Sequence, residues 1–256
     1  MLKTAEPFVE QDSIVRKIWG KADTVMFIFA GSAAEFALNK AVDWLYFTGK
    51  LPADPIGRLF STVTYARAII FAERDNAYKA IDKITSIHAA VEQSRNAAIP
   101  DWAYRDVLYM LIHYSIAAYE LLERKLTDAE KEKVFKVFYE VGDRMHLKAL
   151  PTNYEAWKID YELHLQKDLA KSNLTIDLFK QYKKHLGAFR YYILIEAQKL
   201  LVPKRVHELL GFGKFSAMQL VVPAYKLCRV IKLDGILKAA VLPEKYKAQI
   251  KELDIV

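Results

Sequence analysis

Val107-Leu108-Tyr109-Met110-Leu111-Ile112 lies at the centre of Trp102–Arg124, a stretch that follows Pro100-Asp101 and contains neither glycine nor proline. Six apolar residues in succession show no polar side and no strand-type alternation. At this length they predict a helix that is apolar all round and therefore central and buried. Outward from it the same pattern continues in amphipathic form. On the C-terminal side, Thr127 and Glu130 have capping-box spacing and open a helix to about His146. Thr152 and Glu155, after Leu150-Pro151, predict a second box and a helix to about Leu169. Thr175–Gly187 and Phe189–Leu201 read as two more helices, and Pro203 starts Lys204–Leu210, closed by Gly211.

On the N-terminal side, Asn76–Gln93 places Ala80, Ile84, Ile87 and Val91 at helical spacing. Asp54-Pro55 supplies an N-cap and a proline at the first helical position, predicting a helix through Arg58, Thr62 and Arg67 to about Phe71. Gly49–Ala53 reads as a loop. Ala22–Tyr46 is expected as one helix, in which Gly31-Ser32-Ala33-Ala34 permits close packing, and Asp12 is the expected N-cap of a short helix to Trp19. The last segment, Phe215–Val256, predicts one or two helices broken at Pro223 and Pro243. The expected fold is all-α with about nine or ten helices: one domain over residues 1–213 and a helical extension, 214–256, packed on it.

Composition agrees with this reading. Of 256 residues 53% are hydrophobic, enough for a sizeable core, and nine glycines with eight prolines are about half the usual share. A turn-rich β-sandwich, a collagen-like chain and wholesale disorder are excluded. Cys228 is the single cysteine, so no intrachain disulfide or cysteine-based zinc site can form. The net charge of +7 is spread along the chain and no nucleic-acid-binding motif accompanies it, so no nucleic-acid partner is expected. The first twenty residues contain no continuous apolar run of signal-peptide type. The most apolar long segment, Thr24–Phe47, is interrupted by Glu35, Lys40 and Asp43 and reads as a buried helix rather than a membrane span. A cytoplasmic protein is expected, with possible peripheral membrane contact. For the tail, Lys214, Lys226, Arg229, Lys232 and Lys238 among apolar residues fit either a helix covering the core or a membrane-surface helix.

Most catalytic templates are missing. The chain has no dinucleotide glycine fingerprint, P-loop, nucleophile elbow, HExxH motif or CxxCH haem attachment. None of its six histidines follows a glutamate by three residues, which argues against a ferritin-like di-iron bundle. His88 shares a helical face with Ile84 and Val91, and His113 lies within the most apolar helix. Each is either a hydrogen-bonded core residue or a neutral imidazole of the kind that holds b-type haem. His146, His164, His185 and His207 have charged neighbours and read as exposed. Arg58 and Thr62 are one helical turn apart. They fit an arginine paired with Asp54 or Asp43 and a threonine bonded to its own helix, or a polar pair on the wall of an apolar pocket. In the second case Arg58 would meet a carboxylate and Thr62 a bound oxygen species or substrate.

The run Asp54-Pro55-Ile56-Gly57-Arg58-Leu59-Phe60-Ser61-Thr62, followed by a helix bearing Ile87-His88, resembles the family of latex-clearing rubber oxygenases, which also contains endoplasmic-reticulum-bound mycophenolic-acid-type oxygenases. Leu111-Ile112-His113-Tyr114-Ser115 with Ala117-Ala118-Tyr119, Leu126-Thr127-Asp128-Ala129-Glu130, Leu150-Pro151 with Tyr154, and Leu201-Val202-Pro203 to Gly211 resemble further family segments in the same order. The resemblance covers about residues 12–213. It implies a globin-like helical core holding haem b, with His88 as iron ligand and Arg58 and Thr62 as the polar residues near the haem. Ser61 would stand on the distal side and His113 would be a further haem-pocket or structural residue. The implied activity is O2-dependent oxidation of an apolar unsaturated, isoprenoid-like substrate, in characterised members by C=C cleavage. The alternative is a non-catalytic haem- or lipid-binding protein of the same fold. Three departures bear on this choice. Ser61 replaces the lysine that rubber oxygenases carry before the threonine, Ala37-Leu38-Asn39 replaces an Ala-His-Pro segment, and Thr85 and Glu92 replace arginines flanking the histidine.

Overall fold

A computed structural model describes residues 6–230 and Asp254. Among the described residues the chain forms twelve helices and no strand beyond two isolated β-bridges. They are α1 (Ile14–Trp19), α2 (Ala22–Phe36), α3 (Asp43–Phe47), α4 (Lys50–Ala53), α5 (Pro55–Ile70), α6 (Arg74–Arg95), α7 (Asp101–Leu122), α8 (Asp128–Arg144), α9 (Tyr154–Lys167), α10 (Asn173–Leu201), α11 (Lys204–Leu210) and α12 (Met218–Val230). The all-α class is as expected. The larger number has two sources, the division of Ala22–Tyr46 and the winding of the Gly49–Ala53 loop into α4; against them, the two predicted segments on either side of Gly187 form one element.

Helix α7 is the central one. Leu108, Tyr109, Met110, Ile112, Tyr114 and Ile116 are all buried on it. Helix α2 packs along it, α8 also lies against it, α5 pairs with α6, and α10 crosses α2 and α5. Close approach of α2 to α7 depends on Gly31, whose bare Cα faces the ring of Tyr114.

Where the sequence signals are local, the elements start where expected. Asp54 accepts from the Gly57 amide at 2.9 Å with Pro55 at the first helical position. Thr127 and Glu130 form a reciprocal capping box, and Gly211 ends α11 at φ 69°. Three caps differ by a residue or lie elsewhere. Ser13, not Asp12, caps α1 through the Val15 amide. Asn153, not Thr152, caps α9 through the Ala156 amide. A box not anticipated, Ser172 with Thr175, opens α10.

Helix α2 stops at Phe36 for a tertiary reason. The Asn39 side chain accepts from the Ala41 amide at 2.7 Å, an Asx-type turn. The adjacent backbone pairs with the chain after α9, Lys40 N–H to Asp168 C=O and Ala170 N–H to Leu38 C=O. Gly187, at φ 74° and ψ 168°, bends α10 into the two predicted arms. Pro223 does not break the chain. It sits on an exposed stretch within α12, where Tyr225 donates to Asp23 and Arg229 pairs with Glu123. Pro243, Lys232 and Lys238 lie outside the described residues. Asp254 accepts from the Ala22 amide and so serves the start of α2.

Candidate functional site

Helices α2, α3, α5, α6, α7 and α8 enclose a cavity of about 350 Å3. Its walls are mainly apolar: Phe29, Ala33 and Phe36 from α2, Leu59, Ala66 and Ile69 from α5, Ile84 and Val91 from α6, Val107 and Leu111 from α7, Phe138 and Val141 from α8. Among the few polar groups on this wall are His88, Arg58 and Thr62, brought there by α6 and α5. These three sequence-predicted residues therefore share one apolar chamber.

The position of Arg58 follows from its helix start. Asp54 and Pro55 fix the first turn of α5, and Arg58 donates its backbone N–H to Asp54 C=O. Its guanidinium forms no ion pair among the described residues. Asp54 is occupied as a cap and Asp43 pairs with Arg95 at 2.6 Å. Burial without a carboxylate lowers the Arg58 pKa from its ordinary value. One amino group donates to Ser61 Oγ at 3.2 Å, and Ser61 in turn donates to the Arg58 carbonyl. Ser61 thus orients Arg58 from behind rather than lining the cavity. Thr62 does bond its own helix, donating to Arg58 C=O at 3.3 Å, and its oxygen keeps acceptor capacity toward the cavity.

His88 is half-buried, with its ring set edge-on to Tyr104 at 5.1 Å between centroids. Its Nδ1 is fully buried and has no hydrogen-bond partner. Burial, reinforced by the Arg58 charge, pushes its pKa down, so the imidazole is neutral. A neutral ring with a free nitrogen is the form that ligates metals. Glu92 does not turn its carboxylate loose on this chamber. Its Oε1 accepts from the Ile99 amide at 2.7 Å and from Tyr104 Oη at 3.1 Å, closing the loop between α6 and α7. Thr85 bonds the Ile81 carbonyl of its own helix.

His113 is not part of the cavity wall. It is half-buried against Tyr114 and Tyr161, with ring centroids 4.8 and 5.1 Å away. Desolvation holds its pKa down at about 4, against an opposing backbone hydrogen bond with Leu201.

The expectation that His164 is exposed is wrong. It is 6% exposed and joins a buried polar cluster with Glu35 and Asp106, both 0% exposed. Charged sequence neighbours concealed this. The signal that could have found it is the spacing Trp157, Tyr161, His164, Asp168, a helical stripe that the structure turns inward. His146 and His185 are exposed as expected, and His207 is half-buried.

An all-α chain that builds an apolar chamber around a neutral histidine and a carboxylate-free arginine has the form of a cofactor- or substrate-binding helical protein. The particular family follows from comparison with known proteins. The sequence model described as the ER-bound oxygenase mpaB/B'/rubber oxygenase catalytic domain matches residues 18–233, and the chain belongs to that family of oxygenase catalytic domains. No curated protein and no solved structure gives a significant match. The matched region includes α12. Among the described residues no helix is long and apolar enough to cross a membrane.

Proposed function

We propose that the chain is a haem-b-dependent oxygenase acting on an apolar, unsaturated, isoprenoid-like substrate. The reading is carried by one juxtaposition: the buried, unpartnered Nδ1 of His88 and the carboxylate-free guanidinium of Arg58 on the wall of one apolar cavity. Family membership supports the oxygenase class. The residues present fit the group. His88 offers a neutral imidazole for iron and Arg58 a half-buried cation for a haem propionate, while the apolar walls suit a porphyrin and a hydrocarbon chain. Bound there, haem iron would supply O2 activation, the chemistry that protein side chains lack.

The chain's own residues would do the rest. Ser61 fixes the Arg58 rotamer through its hydroxyl. Thr62 presents its oxygen toward the chamber while its hydroxyl donates to the Arg58 carbonyl. Phe29, Phe36, Leu59 and Phe138 exclude water from the reacting double bond. Replacing the family lysine by Ser61 leaves no amine to compete for iron beside Thr62.

The test is product analysis. Haem-loaded protein is incubated with a set of polyunsaturated isoprenoids under isotopically labelled O2. The reading requires carbonyl or hydroxyl products carrying the label, abolished in His88→Ala and reduced in Thr62→Val. Unlabelled or unchanged isoprenoids, with a stable oxygen complex, would replace it with the non-catalytic binding protein.

A further inference from the structure

Helices α2, α7 and α9 each send one ionisable side chain to a common point: Glu35, Asp106 and His164. One donor atom from each lies within 4.8 Å of the others. The remaining atoms of these groups are already engaged. Glu35 Oε2 accepts from the hydroxyls of Tyr114 and Tyr161, both at 2.7 Å. Asp106 Oδ2 accepts from the Asn39 amide. His164 Nδ1 faces Asp168 Oδ2 at 3.0 Å. The atoms left over are Glu35 Oε1, Asp106 Oδ1 and His164 Nε2, all three buried and turned toward one another. The last two are in ion-pair contact with each other, while Glu35 Oε1 is left unpartnered on a side chain with no exposed surface.

Division of each ligand into a held atom and a free atom is the arrangement of a metal centre. Ligand groups are oriented by outer partners, typically a carboxylate on the far nitrogen of a histidine, so that the free atoms converge. We propose that Glu35, Asp106 and His164 form a buried site for one divalent transition-metal ion of the zinc type. One imidazole nitrogen and two carboxylate oxygens are donors that zinc accepts, and three protein ligands leave a further position open. A dication there would neutralise two adjacent buried carboxylates. On the outer side of the cluster, His164 and Asp168 line a surface cleft of about 430 Å3 with Arg105, Tyr109, Asp160 and Lys167. The ion would clip α2, α7 and α9 together. Asn39, which lines the apolar cavity, touches the cluster through Asp106.

The experiment uses the full chain and is independent of haem. Protein from zinc-supplemented growth is dialysed exhaustively, and zinc per chain is measured together with its X-ray absorption spectrum. The expected result is close to one zinc per chain, with a first shell of nitrogen and oxygen only. Zinc is lost in Glu35→Gln and His164→Gln, and it is retained in His88→Ala. Asp168→Asn, which leaves all three ligands in place, should weaken zinc about 10–100-fold. Far-UV circular dichroism identifies any variant that fails to fold, and the wild-type first shell then decides. Zinc well below one per chain in the wild type, a sulfur ligand from Cys228, or equal zinc in folded Glu35→Gln and His164→Gln would overturn the proposal. In that event the cluster is a proton-sharing network.

Discussion

Gly31→Ala should destabilise the protein although it replaces glycine by the best helix former. In the interior of α2 the exchange alone would favour folding by about 1 kcal/mol. The added Cβ, however, runs into Cδ1 and Cε1 of Tyr114. That ring has no freedom to yield. It is 0% exposed, lies edge-on to His113, and its hydroxyl is committed to Glu35 at 2.7 Å. Overpacking a filled core costs about 1–3 kcal/mol. Moving the ring away also strands a buried donor, at about 1–3 kcal/mol more. The clash therefore outweighs the helical gain, with a net loss of about 1–5 kcal/mol. At about 2–4 °C per kcal/mol for a chain of this size, Tm should fall by at least a few degrees. Differential scanning calorimetry measures it, with Gly213→Ala as the control, since a Cβ there meets nothing. A Gly31→Ala protein with unchanged or raised Tm would refute the reasoning that α2 and α7 are in van der Waals contact at this point.

Other consequences concern charge and caps. In metal-free protein Glu35 has its pKa raised from 4.5 to about 8, and His164 has its own raised from 6.5 to about 9 by Asp106, Glu35 and Asp168 against the cost of burial. Both groups hold protons in the folded state that the unfolded chain releases, so stability should decline from about pH 6.5 to pH 9, the Glu35 loss below pH 6.5 being offset by His113. Urea titrations at several pH values should show a shallower alkaline decline in Glu35→Gln. For His113 the sign reverses. His113 is depressed to about 4, so the unfolded chain binds the proton first and the contribution of His113 to stability is lost as pH drops from about 6.5 to 4. His113→Gln should remove that loss. Asp54→Ala removes the α5 cap and should cost about 1 kcal/mol in urea unfolding. It should also weaken haem retention through Arg58, measured by transfer of haem to an apo-globin acceptor.

What the sequence made legible was whatever depended on neighbours in the chain. Val107–Ile112 marked the central helix because six apolar residues need no context. Thr127 with Glu130, Asp54-Pro55 and Pro203 to Gly211 marked helix ends because caps are satisfied within four residues. The end of α2 was hidden because the residues on either side of Asn39 are held from far along the chain, Lys40 by Asp168 and Leu38 by Ala170, about 130 residues away. The cavity was half legible. Arg58, Thr62 and His88 were found through their spacing and the family resemblance, yet the role of Ser61 as a tether on Arg58 depends on a rotamer. Glu92, a misfit beside an expected haem, is explained by the loop it closes. The Glu35–Asp106–His164 cluster was missed because each member sits on a different helix. Glu35 had counted only as an interruption in an apolar segment, and His164 was judged by its neighbours rather than by its helical phase.

The central claim is that His88 presents a ligating nitrogen to a haem in the apolar chamber. It is tested most directly by the visible absorption spectrum and iron content of the full chain produced with added haem precursor, wild type beside His88→Ala. The account predicts a sharp Soret band with close to one iron per chain in the wild type, and loss of both in a His88→Ala protein that keeps its helical circular dichroism. A Soret band and iron content unchanged by His88→Ala, or a wild type without either, would contradict it.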